Sequence, residues 1–356
     1  MKLSTRTKVG LLMLLMLISA CEITEEKQDS GLVGTWHRVY TTIEGVSYGL
    51  AATVYLNADG TGMSDEILAP GDEEYAHFNF SWETADSVIT IKVESDSTVW
   101  TAQYSLRSDQ KVVKFSGSSG YHSSEELYVK YSGDKNVNLV GNWVLAKQTV
   151  NAERVYKLQL TKFFTDGTGE IYSIGAYQIN DLFDLQYDTT QDFESFNWST
   201  TAEYVIITPN QGSQPNRIAQ YVIANEQLDA TIINENSEIE GYTFIRDNGG
   251  IDEACLGTWS LGSVNVGGFS YSFPSVFTLE LNEDSTGVWS YESKGGEFQW
   301  SANGVYIFIY VKQSGNFLNI ALVQSYQIDD QGLKQALEEY RGNVWVRVEY
   351  SFVKSG

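Results

Sequence analysis

Histidine and cysteine are the side chains best suited to acid–base, nucleophilic or metal chemistry near neutral pH. The 356-residue chain has three of the first and two of the second. His37, His77 and His122 all lie near its start, and the rest of the chain has none. His37 follows Trp36 and so points to the opposite face of a strand. His77 alternates with Phe78, Phe80 and Trp82, sharing the face of Asn79, Ser81 and Glu83, and His122 sits in a Ser/Gly-rich loop. This reads as three surface histidines, not a Ser-His-Asp arrangement or a metal cluster. No Cys/His spacing suggests zinc, and no Gly-x-Gly-x-x-Gly or Gly-x-x-x-x-Gly-Lys suggests a phosphate cradle. With 46 acidic residues, pairs of carboxylates are inevitable and carry no signal of a glycosidase dyad. Asn57-Ala58-Asp59-Gly60 begins like a calcium loop but lacks its closing Glu, so it reads as a hairpin turn, and Asp72-Glu73-Glu74 as a solvated loop tip. We expect no catalytic residue, no cofactor and no metal: not an enzyme.

The 46 acidic residues face 23 Lys plus Arg, a formal net charge of -23 that argues against a nucleic-acid partner. Only 19% of residues are charged, whereas 42% are hydrophobic and 13% aromatic, which supports folded cores over disorder.

Lys2, Arg6 and Lys8 precede an apolar run, Val9 to Ile18, too short to span a bilayer and followed by small residues, the three parts of an export signal. Its end, Leu17-Ile18-Ser19-Ala20-Cys21, resembles the bacterial lipobox. That resemblance implies cleavage after residue 20 and lipid on Cys21, and Glu22 with the acidic run after it resembles the sorting context of outer-membrane or surface lipoproteins, on either side of that membrane. Residues 21–30 then read as the lipidated Cys and a polar tether. Removing residues 1–20 takes away three basic groups and no acidic one, leaving a formal charge of -26. The lipid holds the chain to the membrane while acidity keeps the body off anionic headgroups. With Cys21 lipidated, Cys255 stands alone, so no intrachain disulfide is expected, and Cys255 reads as a small buried hydrophobe.

One pattern recurs three times. Gly34-Thr35-Trp36, Gly141-Asn142-Trp143 and Gly257-Thr258-Trp259 each follow Leu or Leu-Val and open a strand-like run. Next come the turns Asp59-Gly60-Thr61-Gly62, Asp166-Gly167-Thr168-Gly169 and Asp284-Ser285-Thr286-Gly287, then Phe80-x-Trp82, Phe196-x-Trp198 and Phe298-x-Trp300. Tyr104, Tyr221 and Tyr326 open a fourth landmark, and Leu127 to Lys130, Thr243 to Arg246 and Val344 to Arg347 close each unit. Five ordered landmarks in triplicate predict three homologous domains, 31–138, 139–254 and 255–356. About eight short strands per unit, joined at turn signals, predict an all-β chain of three tandem small antiparallel up-and-down barrels, whose closure removes exposed sheet edges. The second unit carries an insertion near 175–192. In the third, residues 332–341 suit a short helix as well as a strand.

These units resemble the calycin superfamily, in particular short bacterial lipocalin-like domains, through the Gly-x-Trp openings, the eight-strand meander and a basic residue in each last strand. The resemblance implies that a basic side chain packs across the opening Trp and closes the barrel base, pairing Trp36 with Lys130, Trp143 with Arg246 and Trp259 with Arg347. Trp100, Trp289 and Trp345 fall outside the repeat and could line a cavity or stack on a sugar, with core packing the plainer reading. We therefore expect a non-enzymatic cell-envelope lipoprotein whose barrels bind a small apolar or amphipathic ligand at positions the sequence does not identify. The competing expectation is a structural or adhesion-type surface protein with filled barrels and loop-mediated contacts.

Overall fold

The computed structural model describes residues 28–67, 75–95, 98–119, 122–155, 157–174, 177–181, 184–187, 191–201, 203–210, 216–272, 277–313, 316–330, 332–341 and 344–355. The signal, Cys21 and the start of the tether lie outside these residues, as does Asp72-Glu73-Glu74.

Strands alternating inward apolar with outward polar residues follow one another in sequence order. The first barrel comprises β1 (Gly34–Ile43), β2 (Val46–Tyr48), β3 (Ala52–Leu56), β4 (Thr61–Glu66), β5 (Ala76–Ala85), β6 (Val88–Val93), β7 (Val99–Leu106), β8 (Val112–Ser119) and β9 (His122–Lys130). The second comprises β10 (Gly141–Val150), β11 (Glu153–Val155), β12 (Leu158–Phe163), β13 (Thr168–Ile174), β16 (Gln191–Thr200), β17 (Tyr204–Pro209), β18 (Arg217–Ala224), β19 (Gln227–Ile233) and β20 (Ile239–Asp247), with the insertion forming a separate hairpin of β14 (Tyr177–Asp181) and β15 (Asp184–Tyr187). The third comprises β21 (Gly257–Val266), β22 (Phe269–Ser272), β23 (Phe277–Leu281), β24 (Thr286–Tyr291), β25 (Lys294–Ala302), β26 (Tyr306–Gln313), β27 (Asn316–Asp329), β28 (Gly332–Arg341) and β29 (Val344–Lys354). First and last strands pair in each unit, so eight antiparallel strands close and one short strand is added outside. Residues 332–341 are strand, paired along their length with β29.

The repeated landmarks are packing devices. Asp59, Asp166 and Asp284 each accept from the backbone N–H and hydroxyl of the Thr two residues on, fixing the turn. The Gly after that Thr lies under an aromatic ring: a Cβ on Gly62, Gly169 or Gly287 would sit 2.1–2.2 Å from Phe80, Phe196 or Phe298. Trp82, Trp198 and Trp300 donate their indole N–H to the carbonyls of Thr61, Thr168 and Thr286, each at 3.0 Å. Each landmark Phe and Trp is buried.

The barrels join head to tail through outward-facing residues. Val112 and Val129 of the first pack on Tyr204, Ile206 and Ile218 of the second. Val144, Leu160 and Ile245 of the second pack on Phe308 of the third. By register, Phe308, Ile206 and Thr90 are equivalent, each one residue before the strand neighbour of Trp300, Trp198 or Trp82. The position is thus apolar on the second and third barrels and a threonine on the first. Asp247 strengthens the second junction, accepting from Ser301 Oγ at 2.7 Å and from the Tyr310 hydroxyl.

His37 is not a surface histidine. It is 6% exposed at the first junction, where Asn216 Nδ2 donates to its Nδ1 at 3.1 Å, with Thr53 Oγ1 also 3.1 Å away. It faces outward as its parity requires, but the outside of that strand is covered by the next barrel. Burial lowers its pKa from 6.5 to about 4. A depressed His pKa leaves stability complete above 6.5 and removes it as pH falls through 4, because the unfolded chain takes the proton first. The loss is about 3 kcal/mol over that window. His37→Val, which copies Val144 at the equivalent position, should flatten the acid limb between pH 6.5 and 4 in denaturant melts. An unchanged limb would refute the assignment.

Candidate functional site

Each barrel has a closed base and an opposite end, and the two behave differently. At the base, Trp36, Trp143 and Trp259 are buried and donate their indole N–H to the carbonyl four residues upstream, Leu32 at 2.6 Å, Leu139 at 2.7 Å and Cys255 at 2.7 Å. The short turn supplying that carbonyl begins with an Asp or Asn seven residues before each Trp. Asp29, Asn136 and Asp252 accept from the backbone N–H two residues on. The fourth-landmark tyrosines reach the same groups: Tyr104 donates to Asp29 at 2.9 Å, Tyr326 to Asp252 at 2.5 Å, and Tyr221 accepts from Asn136 at 2.9 Å. The Asx at this fixed spacing is a sequence signal that reading from the Gly-x-Trp onward misses.

Lys130 Nζ lies 5.2 Å from the Trp36 ring centroid and donates to Gly31 O at 3.0 Å. Arg246 lies 4.5 Å from the Trp143 centroid and donates to Asn138 O. Trp259, however, is covered by Lys354, 5.3 Å from its centroid and its direct strand partner, and not by Arg347. Strands β27, β28 and β29 are longer than their counterparts, so the closing residue comes seven positions later than the landmark spacing predicts. Arg347 lies far along β29 from the base, exposed, bonded to Glu349 at 2.8 Å. Lys354→Met should therefore cost about 0.5–2 kcal/mol in a thermal melt and Arg347→Met under about 0.5 kcal/mol; the reverse order would restore the Arg347 pairing. Cys255 is fully buried, and burial pushes its thiol up to about 12, well away from a reactive thiolate.

His77 pairs with Asp65 at 2.6 Å on the exposed face of β5, and His122 opens β9 opposite Ser119 instead of lying in a loop. Among the described residues, no group of three or more His, Cys, Asp or Glu could hold a metal ion.

Above the base the three interiors diverge. Registering the barrels on their Trp–cation pairs and on Gly62, Gly169 and Gly287 aligns Arg38 with Leu145 and Leu261, Glu66 with Ser173 and Tyr291, Glu126 with Tyr242 and Tyr350, and Tyr128 with Phe244 and Phe352. In the first barrel these positions form a buried ionic knot. Arg38 Nη1 donates to Glu66 at 3.1 Å and Glu126 at 3.3 Å, its Nε donates to Leu50 O at 2.8 Å, and Nη2 to Ile67 O at 3.0 Å. Tyr128 donates to Glu126 at 3.1 Å. Burial raises the Glu66 pKa, and the Arg38 guanidinium opposes the rise. The guanidinium ties the interior to the carbonyls of the segments after β2 and β4.

The third barrel has an aromatic interior at the same height. Trp289 and Phe277 stack nearly parallel, 6.3 Å between centroids, with Tyr291 and Phe352 against Phe277. Gly296 makes room for the indole: a Cβ there would lie 2.6 Å from Trp289 Nε1. Of the three tryptophans outside the repeat, Trp289 thus faces the interior of the third barrel, and Trp100, in register with Ile91 and Trp82, that of the first. The second barrel is intermediate, with Ile171 and Gln159 where the third has Trp289 and Phe277, and with Gln159 donating to Thr161 at 3.0 Å.

No known family profile matches the chain, and no curated protein is similar to it at a significant level. Among solved structures it is similar to transferrin binding protein B from serogroup B Neisseria meningitidis, at 6% identity and a TM-score of 0.19, over 87% of this chain and 66% of that one. It is also similar to transferrin binding protein B from Haemophilus parasuis, at 8% identity and a TM-score of 0.21, over 91% of this chain and 76% of that one. Likeness at this level says nothing of what the chain binds.

Proposed function

We propose that the chain is a non-enzymatic lipoprotein of the bacterial cell envelope, tethered through lipid on Cys21, whose third lipocalin-like barrel holds a small apolar or amphipathic molecule. The observation that carries the reading is the difference between equivalent interior positions. Where the first barrel has the Arg38–Glu66–Glu126 knot, the third has Leu261, Tyr291 and Tyr350 beside the Phe277–Trp289 stack. An apolar, aromatic lining with a few polar groups is the usual make-up of a small-molecule site. Titration with the fluorescent probe N-phenyl-1-naphthylamine tests this. One site per chain is expected, weakened at least about tenfold by Trp289→Ala and unaffected by Ser64→Ala at the equivalent position of the first barrel. No binding, or binding indifferent to Trp289, would refute it. Incorporation of labelled palmitate that disappears in Cys21→Ser tests the anchor.

A second reading, partner contact through loops, is favoured by the hairpin of β21 and β22, where Phe269 and Tyr271 are 72% and 53% exposed. Crosslinking in the native envelope distinguishes it, since recovered partners that are lost on Phe269→Ser would support contact.

A further inference from the structure

Two glutamines in the third barrel are buried with amide atoms left unpaired among the described residues. Gln335 is 0% exposed and Gln324 2%. Among the described residues, neither Nε2 nor Oε1 of Gln335 has a hydrogen-bond partner, nor has Oε1 of Gln324. Both face the interior. Gln335 lies two residues beyond the core residue Leu333 and directly opposite Tyr326 and Tyr350, while Gln324 lies two residues before Tyr326. Neither amide is demanded by the barrel itself. The positions equivalent to Gln335 hold Phe115 and Ala230, and those equivalent to Gln324 hold Ala102 and Ala219. A buried amide with both ends unpaired is a costly feature for a core, and native cores seldom keep one without a use.

We propose that Gln335 and Gln324 select a small neutral ring compound carrying an N–H donor beside a C=O acceptor, the edge of a lactam or an amide-containing heterocycle. The inference rests on the third barrel being the ligand site. The unmet groups define the complement: Nε2 of Gln335 calls for an acceptor, and the two Oε1 atoms call for donors. A carboxylate offers only acceptors, an ammonium only donors, and a hydrocarbon neither. The parallel Phe277–Trp289 pair, facing the interior of the same barrel, supplies aromatic faces for the ring that carries such an edge.

Three probes of similar size separate these chemistries: naphthalene, 2-quinolinone and 2-naphthoate, each titrated into the purified full-length protein by calorimetry and tryptophan fluorescence. We expect 2-quinolinone to bind at least about tenfold more tightly than either of the others. Gln335→Leu should bring 2-quinolinone within about twofold of naphthalene while keeping or raising affinity for naphthalene, and Gln324→Leu should reduce the preference in the same sense. Melting curves establish that both variants fold, as loss of an unpaired buried amide permits. Equal binding of naphthalene and 2-quinolinone, or a preference that survives both substitutions, overturns the selection by amides while leaving the barrel a ligand site. Binding of none of the three probes overturns both.

Discussion

Replacing Arg38 by Ala is expected to destabilise the protein by about 3–5 kcal/mol at neutral pH, because it leaves two carboxylates inside a barrel without their cation. The Arg38 and Glu66 side chains are 4% and 3% exposed and that of Glu126 is 23%, so water replaces little of the lost interaction. The loss should depend on pH with a definite sign. Glu66 has a folded-state pKa raised above its ordinary value, so its contribution is complete below about pH 4.5 and is lost as pH rises through the folded pKa. Without Arg38 that rise goes unopposed, so the deficit of the Ala variant should be small near pH 4 and largest at neutral pH. Exchanging the whole knot for the second barrel's residues, with Arg38→Leu, Glu66→Ser, Glu126→Tyr and Tyr128→Phe together, should recover most of the stability, since buried ion pairs are often replaced by apolar groups without loss. A deficit below about 1 kcal/mol for Arg38→Ala in urea melts would show that the knot is solvated and the first barrel open.

Phe308→Ala is the second large effect, about 3–5 kcal/mol, and its character distinguishes a junction from a core. Phe308 is fully buried, yet its parity places it outside the third barrel, against Val144, Leu160 and Ile245 of the second. Its equivalent in the first barrel is the polar Thr90, half-buried. The cost should therefore appear as lost coupling: the third barrel should melt separately from the first two, each transition remaining sharp. Calorimetry showing a single transition merely shifted downward would mean that Phe308 holds its own barrel together.

The repeated parts of the fold were legible because their chemistry is local. The Asp turns and the indole bond of the Gly-x-Trp opening are each satisfied within a few residues, and the Phe-x-Trp strand packs on the turn that precedes it, so ordered spacing reveals them. The landmark spacing points to Arg347 and not to Lys354 because the strands of the third barrel are longer, and a fixed spacing cannot register an extension shared by three consecutive strands. His37 was misread for a different reason. Alternation tells which side of a strand a residue faces but not that a neighbouring barrel covers that side. The ionic knot was invisible in sequence because Arg38, Glu66 and Glu126 come from three separate strands and carry no spacing signal. Gln324 and Gln335 were hidden likewise, polar residues at inward positions that only strand register identifies.

The central claim is that one barrel of the three holds a small molecule. Native mass spectrometry of the protein purified from its own host, gently delipidated, tests it most directly. The account predicts one additional small mass per chain, lost in the Trp289→Ala protein and retained in the Ser64→Ala protein. The mass of the bare polypeptide under gentle ionisation, for wild type as for Trp289→Ala, would contradict it.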